Sequence, residues 1–165
     1  MQNLTEILNG SVLGLLDPAG DGSATLSPLC VQKHYASTYE ISCHLPFFDF
    51  NKSFAGFAIL NIDRAALLDI WSHVLKMPDA DLSMVREIAM EIVNMIVGNA
   101  SEALSRHEFH VTLALPNIIE AGQQIQLSTL KRDDFHYFEY AQQNLKFNWV
   151  ICMYDAISFA RERRN

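Results

Sequence analysis

The chain has 165 residues, half of them hydrophobic and 19% charged, a balance that supports a packed core and lies far from the composition of disordered chains. Its formal net charge of -7, with only 12 Lys and Arg, excludes the broad basic face that nucleic-acid phosphates require. Apolar stretches are short and interrupted, and Glu6 stands where an export signal would carry its basic and apolar run, so no membrane partner is expected and the chain is assigned to the cytoplasm.

The length fits a single domain over 1–165, with 156–165 as a helix end or tail. Leu4, Ile7, Leu8, Val12, Leu15 and Leu16 share a helical stripe, which predicts a first helix over 3–16, closed by Asp17-Pro18-Ala19-Gly20. From Leu29 the character changes to β. Tyr39, Ile41 and Cys43 alternate with polar neighbours, Pro46 and Asp49 to Lys52 mark a turn, and Phe54 to Ile62 reads as a buried strand. Asp63 is placed to cap the next helix, in which Ala66, Leu67, Ile70, Trp71, Val74 and Leu75 recur before Pro78. The longest helical pattern runs from Asp81 to about Glu108, with Ser83 as N-cap and Glu87 in the first turns. Strands are expected at 109–115, 124–130, 135–141 and 147–154. Strands broken by helices without regular alternation predict an α+β fold, helices packed on a mostly antiparallel sheet. The two halves hint at an internal repeat. Cys30, Cys43 and Cys152 have apolar neighbours and no CxxC spacing, which suits buried, reduced thiols. Arg161, Arg163 and Arg164 read as a solvated helix end.

The long helix is two-faced. Stepping 100° per residue from Val85, the residues Ile88, Ala89, Ile92, Ile96, Ala100, Ala103 and Leu104 fall in one apolar arc. The opposite arc holds Glu87, Glu91, Asn94, Gly98, Ser101 and Ser105. A merely solvated face would favour Ala, Lys, Gln or Arg, whereas Gly costs about 1 kcal/mol relative to Ala in a helix interior. Glu87 and Glu91 are like charges one turn apart, repulsive by about 0.2–0.5 kcal/mol. These choices make sense if another protein docks here. Gly98 clears room for a partner backbone, Met84, Met90, Met95 and Val97 flank the stripe as adaptable apolar contacts, and the carboxylates receive a Lys or Arg.

The run Glu91-Ile-Val-Asn94-Met-Ile-Val-Gly98-Asn99, followed by Pro116, resembles the signature of the CheC/CheX/FliY phosphatases, with a single-site layout like that of CheX. The resemblance implies a CheC-like fold and hydrolysis of the aspartyl phosphate on a CheY-like response regulator. On matching positions, Asn94 would orient the attacking water and Glu91 would pair with the receiver's active-site Lys. Glu87, Met90, Met95, Gly98 and Ser101 would contact the partner. The resemblance further implies Mg²⁺ held by the receiver, no cofactor on this chain, and a homodimer through sheet edges. Glu87 departs from the Asp or Ser that the pattern has four residues before its Glu. A second Glu-x-x-Asn, Glu6 and Asn9, lies on the first helix, but Gln2 fills its upstream position and Gly10 follows directly, so it is read as a fortuitous match.

His107 and His110 form an HxxH, but their strand-entry setting and the lack of a nearby third ligand favour surface histidines over metal ligands. No GxSxG or phosphate-cradling glycine loop is present. The alternative to a phosphatase is a non-catalytic adaptor that binds a receiver or another two-component signalling partner through the same helix.

Overall fold

The computed structural model describes residues 2–17, 20, 22–33, 35–52, 54–78, 80–120 and 134–155. Among the described residues, three α-helices accompany one antiparallel sheet. Helix α1 spans Gln2–Leu16, α2 spans Arg64–Asp69 and runs on into a wider π turn at Ile70–Val74, and α3 spans Val85–Ser105. The strands are β1 (Thr25–Gln32), β2 (Ile41–Asp49), β3 (Phe54–Ile62), β4 (Thr112–Leu113), β5 (Asn117–Glu120), β6 (Phe135–Gln142) and β7 (Leu145–Asp155). Their order is β1-β6-β7-β3-β2-β4, with β5 also paired to β2.

Helices α1 and α3 pack on one another and on one face of the sheet. Leu4, Leu8, Val12 and Leu16 of α1 meet Ile88, Ile92, Ile96 and Leu104 of α3 in a core floored by Leu45, Phe47, Leu60, Ile62, Phe147 and Trp149. The other face carries a smaller cluster, Ile59, Phe135, Tyr137, Val150 and Cys152, with Tyr35 and Phe57 against it. Tyr137 ties the segment before β2 down on this face, its hydroxyl donating to the Ala36 carbonyl and accepting from the Ala36 N–H, both at 2.9 Å.

Glycine is required at Gly56. A Cβ there would lie 2.6 Å from the Cys152 carbonyl oxygen and 2.7 Å from the Phe47 ring, so Phe47 packs directly over the β3 backbone.

Several expectations change in detail. Pro46 lies inside β2, not in a turn. It falls between the stretch of β2 that pairs with β5 and the stretch that pairs with β4, so its missing N–H removes no ladder bond. β1 begins at Thr25, four residues before Leu29. Only Thr112–Leu113 of the expected strand over 109–115 is extended in the sheet, and Asn117–Glu120 adds a strand that the alternation did not announce. Cys30 is exposed on β1, whereas Cys43 and Cys152 are buried, all three free; β1 is an outer strand with little packed over it. Burial pushes the Cys43 thiol up to about 12. The expected strand at 124–130, the arginines at 161–164 and the tail at 156–165 lie outside the described residues. No helix among the described residues is long and apolar enough to cross a membrane.

Candidate functional site

Helix α3 is anchored at both ends. At its start Asp81, not Ser83, is the capping group. Its carboxylate accepts from the Ser83 N–H at 2.7 Å, and a single 3₁₀ turn, Leu82–Met84, leads into the helix. Bonds from the Ser83 hydroxyl and then from its N–H hold that carboxyl below the usual Asp value. At the far end the Leu104 carbonyl accepts from the N–H groups of His107 and Phe109 at 2.9 and 3.0 Å, with Glu108 in the left-handed region at φ 63°, a C-terminal turn of the Schellman kind. Helix α2 departs from expectation in the same way. The Asp63 carboxylate does not cap its own helix but accepts from the Glu40 N–H, while Glu40 accepts from the Arg64 N–H.

Below the helix, Asp49 joins the β2–β3 turn to the segment leaving α3. One carboxylate oxygen accepts from the N–H groups of Asn51 and Lys52 at 2.8 and 3.1 Å, the other from the His110 N–H at 2.8 Å. Burial alone would raise the Asp49 carboxyl, but the bonds from His110, Lys52 and Asn51 outweigh it and hold it below its usual value. Lys52 also sits 3.9 Å over the Phe109 ring.

The buried arc of α3 is wider than the apolar periodicity indicates. It holds Val85, Ile88, Ala89, Ile92, Val93, Ile96, Val97, Ala100 and Leu104, because α1 covers one flank while the sheet covers the base. Val97 is therefore core and unavailable to a partner. Burying one such aliphatic side chain contributes about 1.5–3 kcal/mol, which easily carries the roughly 1 kcal/mol penalty of a helical glycine. The fold can thus hold a face that local helix preference disfavours.

That face carries Glu87, Glu91 and Gly98 exposed, and Met90, Asn94, Met95 and Ser101 half-buried. Nothing lies within 4 Å of where a Gly98 Cβ would be. The described ion pairs join Lys33 to Asp134, His73 to Asp69, Arg106 to Glu102 and Lys146 to Glu139; none engages Glu87 or Glu91. Glu91 and Asn94, three residues apart, are neighbours on the helix surface. Met90 leans on the core, and Ser101 lends its carbonyl to the Ser105 hydroxyl at 3.0 Å. Pro116 stands in the link between β4 and β5.

The face is convex. A cleft of about 1020 Å³ lies elsewhere, lined by Asp17, Tyr39, Asp63, Asp69, His73 and Lys146 among others, and no α3 residue lines it. Among the described residues no group of three His, Cys, Asp or Glu could hold a metal ion. His107 and His110 are both exposed, and His110 is bound through its backbone. The sequence pattern missed Asp81 as the cap; an Asp two residues before Ser83 was the available signal.

An antiparallel sheet with two helices packed side by side on one face, one of them carrying an exposed Glu and a half-buried Asn on its outer side, defines a CheC-like α+β protein. A family model described as "Chemotaxis phosphatase CheX" matches residues 47–139, more than half of the chain, and the chain belongs to the CheX family. A search of curated proteins found no match. Among solved structures, a CheC-like superfamily protein from Shewanella sp. PV-4 aligns with a TM-score of 0.69 at 17% identity, covering 92% of this chain and 97% of that one. A chemotaxis protein CheX from Vibrio vulnificus aligns at 0.66 and 18% identity, covering 92% and 99%. A chain of the CheX-CheY-BeF3-Mg complex from Borrelia burgdorferi aligns at 0.61 and 16% identity, covering 92% and 94%.

Proposed function

We propose that the exposed face of α3 hydrolyses the aspartyl phosphate of a CheY-like receiver by entering the receiver's own active site. The observation that carries this reading is the juxtaposition of exposed Glu91, half-buried Asn94 and open Gly98 on one face of a capped helix. Membership of a family described as a chemotaxis phosphatase supports it, as does a structural relative found in complex with CheY, BeF3 and Mg²⁺. The chemistry is positional. Asn94 presents a side-chain amide, one donor and one acceptor group, to a water held in line with phosphorus. The water oxygen bonds to phosphorus as the bond to the Asp carboxylate oxygen breaks, giving inorganic phosphate and a free carboxylate. Glu91 pairs with a lysine of the receiver and fixes the approach.

Two carboxylates one turn apart, Glu87 and Glu91, with no third ligand gathered among the described residues, do not make a metal site. Following the relative in complex with CheY, BeF3 and Mg²⁺, the reading assigns Mg²⁺ to the receiver, where it would neutralise phosphoryl oxygens. A homodimer through sheet edges is part of the same proposal. β1 is an outer strand that leaves Leu29 and Val31 53% and 56% exposed, and sedimentation showing only monomer at micromolar concentration would refute the dimer.

The test is the decay of phosphate on purified CheY-like receivers in Mg²⁺, with no addition, with this protein, and with its Glu91→Ala and Asn94→Ala variants. Acceleration by the wild type that the folded Asn94→Ala variant lacks is the expected result. A receiver that binds while its phosphate lifetime stays unchanged replaces the phosphatase by the adaptor reading.

A further inference from the structure

The turn that opens α3 leaves apolar side chains in solvent. Leu82 is 65% exposed and Met84 43%, and Met77, in the connection from α2, is 38% exposed. Singly exposed apolar residues are ordinary; here the backbone that carries them is fixed. The Trp71 indole donates to the Pro78 carbonyl at 3.0 Å, the Met77 N–H donates to the Trp71 carbonyl at 3.0 Å, and Asp81 binds the Ser83 N–H. Met84 also stands in register with the proposed site. At 100° per residue, Met84, Glu91 and Gly98 differ by no more than about 40° around the helix axis. Leu82, at the start of the same turn, lies outside the core.

Resting on the phosphatase reading, we propose that Leu82 and Met84 form an apolar anchor that seats the receiver, gripping an apolar patch beside the pocket that Glu91 and Asn94 enter. The anchor governs affinity and leaves the hydrolytic step to Asn94. Two features select a receiver over a second copy of this chain. The stripe runs without interruption from Met84 past Glu87 to Glu91, so a partner that meets Glu91 along the helix also meets Met84. Pairing two copies across this stripe would set Glu87 and Glu91 against the same carboxylates on the other copy, with each chain already at -7. A receiver surface with a lysine next to apolar side chains suffers no such repulsion. A preset turn also spends little entropy on docking.

The experiment measures phosphate release from a CheY-like receiver phosphorylated with acetyl phosphate in Mg²⁺, at rising receiver concentration and catalytic amounts of this protein. The double variant Leu82→Ser/Met84→Ser changes only exposed side chains, and its folding is checked by circular dichroism. Its half-saturating receiver concentration is expected to rise about 10-fold or more, from the lost apolar burial, with the maximal rate within about two-fold of wild type. Met84→Leu, which keeps the apolar area, should restore most of the affinity to a Met84→Ser variant. An unchanged half-saturating concentration overturns the anchor, as does a change in the chain's own oligomeric state without one. Asn94→Ala, run in parallel, should lower the maximal rate and leave half-saturation in place. If Asn94→Ala retains full rate, the phosphatase reading fails instead, and calorimetric affinities of the wild type and double variant for the phosphorylated receiver then decide the anchor alone.

Discussion

Helices α1 and α3 lie side by side and carry the same four-residue pattern, Glu6 and Asn9 on one, Glu91 and Asn94 on the other. Both glutamates are exposed and both asparagines half-buried. The difference is in the amide. The Asn9 carbonyl oxygen is buried without a hydrogen-bond partner, so one end of that amide faces protein. The Asn94 oxygen has no such confinement, and Met95 with open Gly98 follows it where Gly10 follows Asn9. Spacing alone therefore does not distinguish the two helices; the surroundings of the two amides do.

The largest expected effect follows from that contrast. Asn94→Ala should reduce the acceleration of receiver dephosphorylation about 100-fold, the scale on which lost positioning acts. Asn9→Ala should leave it within about two-fold. Equal losses from both variants, measured with the same receiver, would break the comparison and make α1 a second site.

The floor beneath α3 is tested by Gly56→Ala. Its Cβ would press on the Cys152 carbonyl and the Phe47 ring, and Phe47 starts an aromatic run through Phe54 to Phe109 just past α3, with ring centroids 6.3 and 5.7 Å apart. The expected cost is about 2–3 kcal/mol by denaturant titration. Ala at Gly10 or Gly14 of α1, where nothing lies within 4 Å, should stabilise instead.

The helical stripes of α1 and α3, the β2–β3 hairpin and the strands β6 and β7 were legible because each side chain faces either core or solvent at the period of its element. The width of the α3 core arc was not, since Val93 and Val97 are buried in a helix packed against both α1 and the sheet, tertiary contacts that periodicity along one helix does not contain. Pro46 in β2 and the swapped caps Asp63 and Glu40 escaped for the same reason: what makes them tolerable comes from residues distant in sequence. Of the candidate site, the pattern Glu91, Asn94 and Gly98 was visible in the sequence and the structure places the three on one face of α3, whereas the exposed turn at Leu82 looked like ordinary helix-start sequence.

The two helices also differ in how the chain leaves them. Asp49 ties the segment after α3 to the β2–β3 turn through the His110 N–H, so Asp49→Ala, which leaves three backbone donors without their acceptor, should cost about 2 kcal/mol. It should speed amide exchange at the end of α3 more than at the end of α1. The native carboxyl is held below its usual value, so ionised Asp49 contributes in full above pH about 4, its ordinary range, and the contribution is lost as pH falls through the depressed native value. The stability gap between wild type and Asp49→Ala should therefore narrow in acid; a gap that widens there would contradict the clamp.

Gly98→Ala is the smallest effect and the sharpest discriminator. With no atom within 4 Å of the added Cβ, the variant should gain about 1 kcal/mol of stability from helix propensity, as Gly10→Ala should on α1. If α3 is the docking face, that gain comes with weaker receiver dephosphorylation, because the new methyl stands where a partner backbone approaches; on α1 the same substitution leaves the rate alone. A Gly98→Ala variant that is both more stable and fully active would mean that the open space at Gly98 is not used, and would move the receiver contact toward Glu87 and the start of the helix.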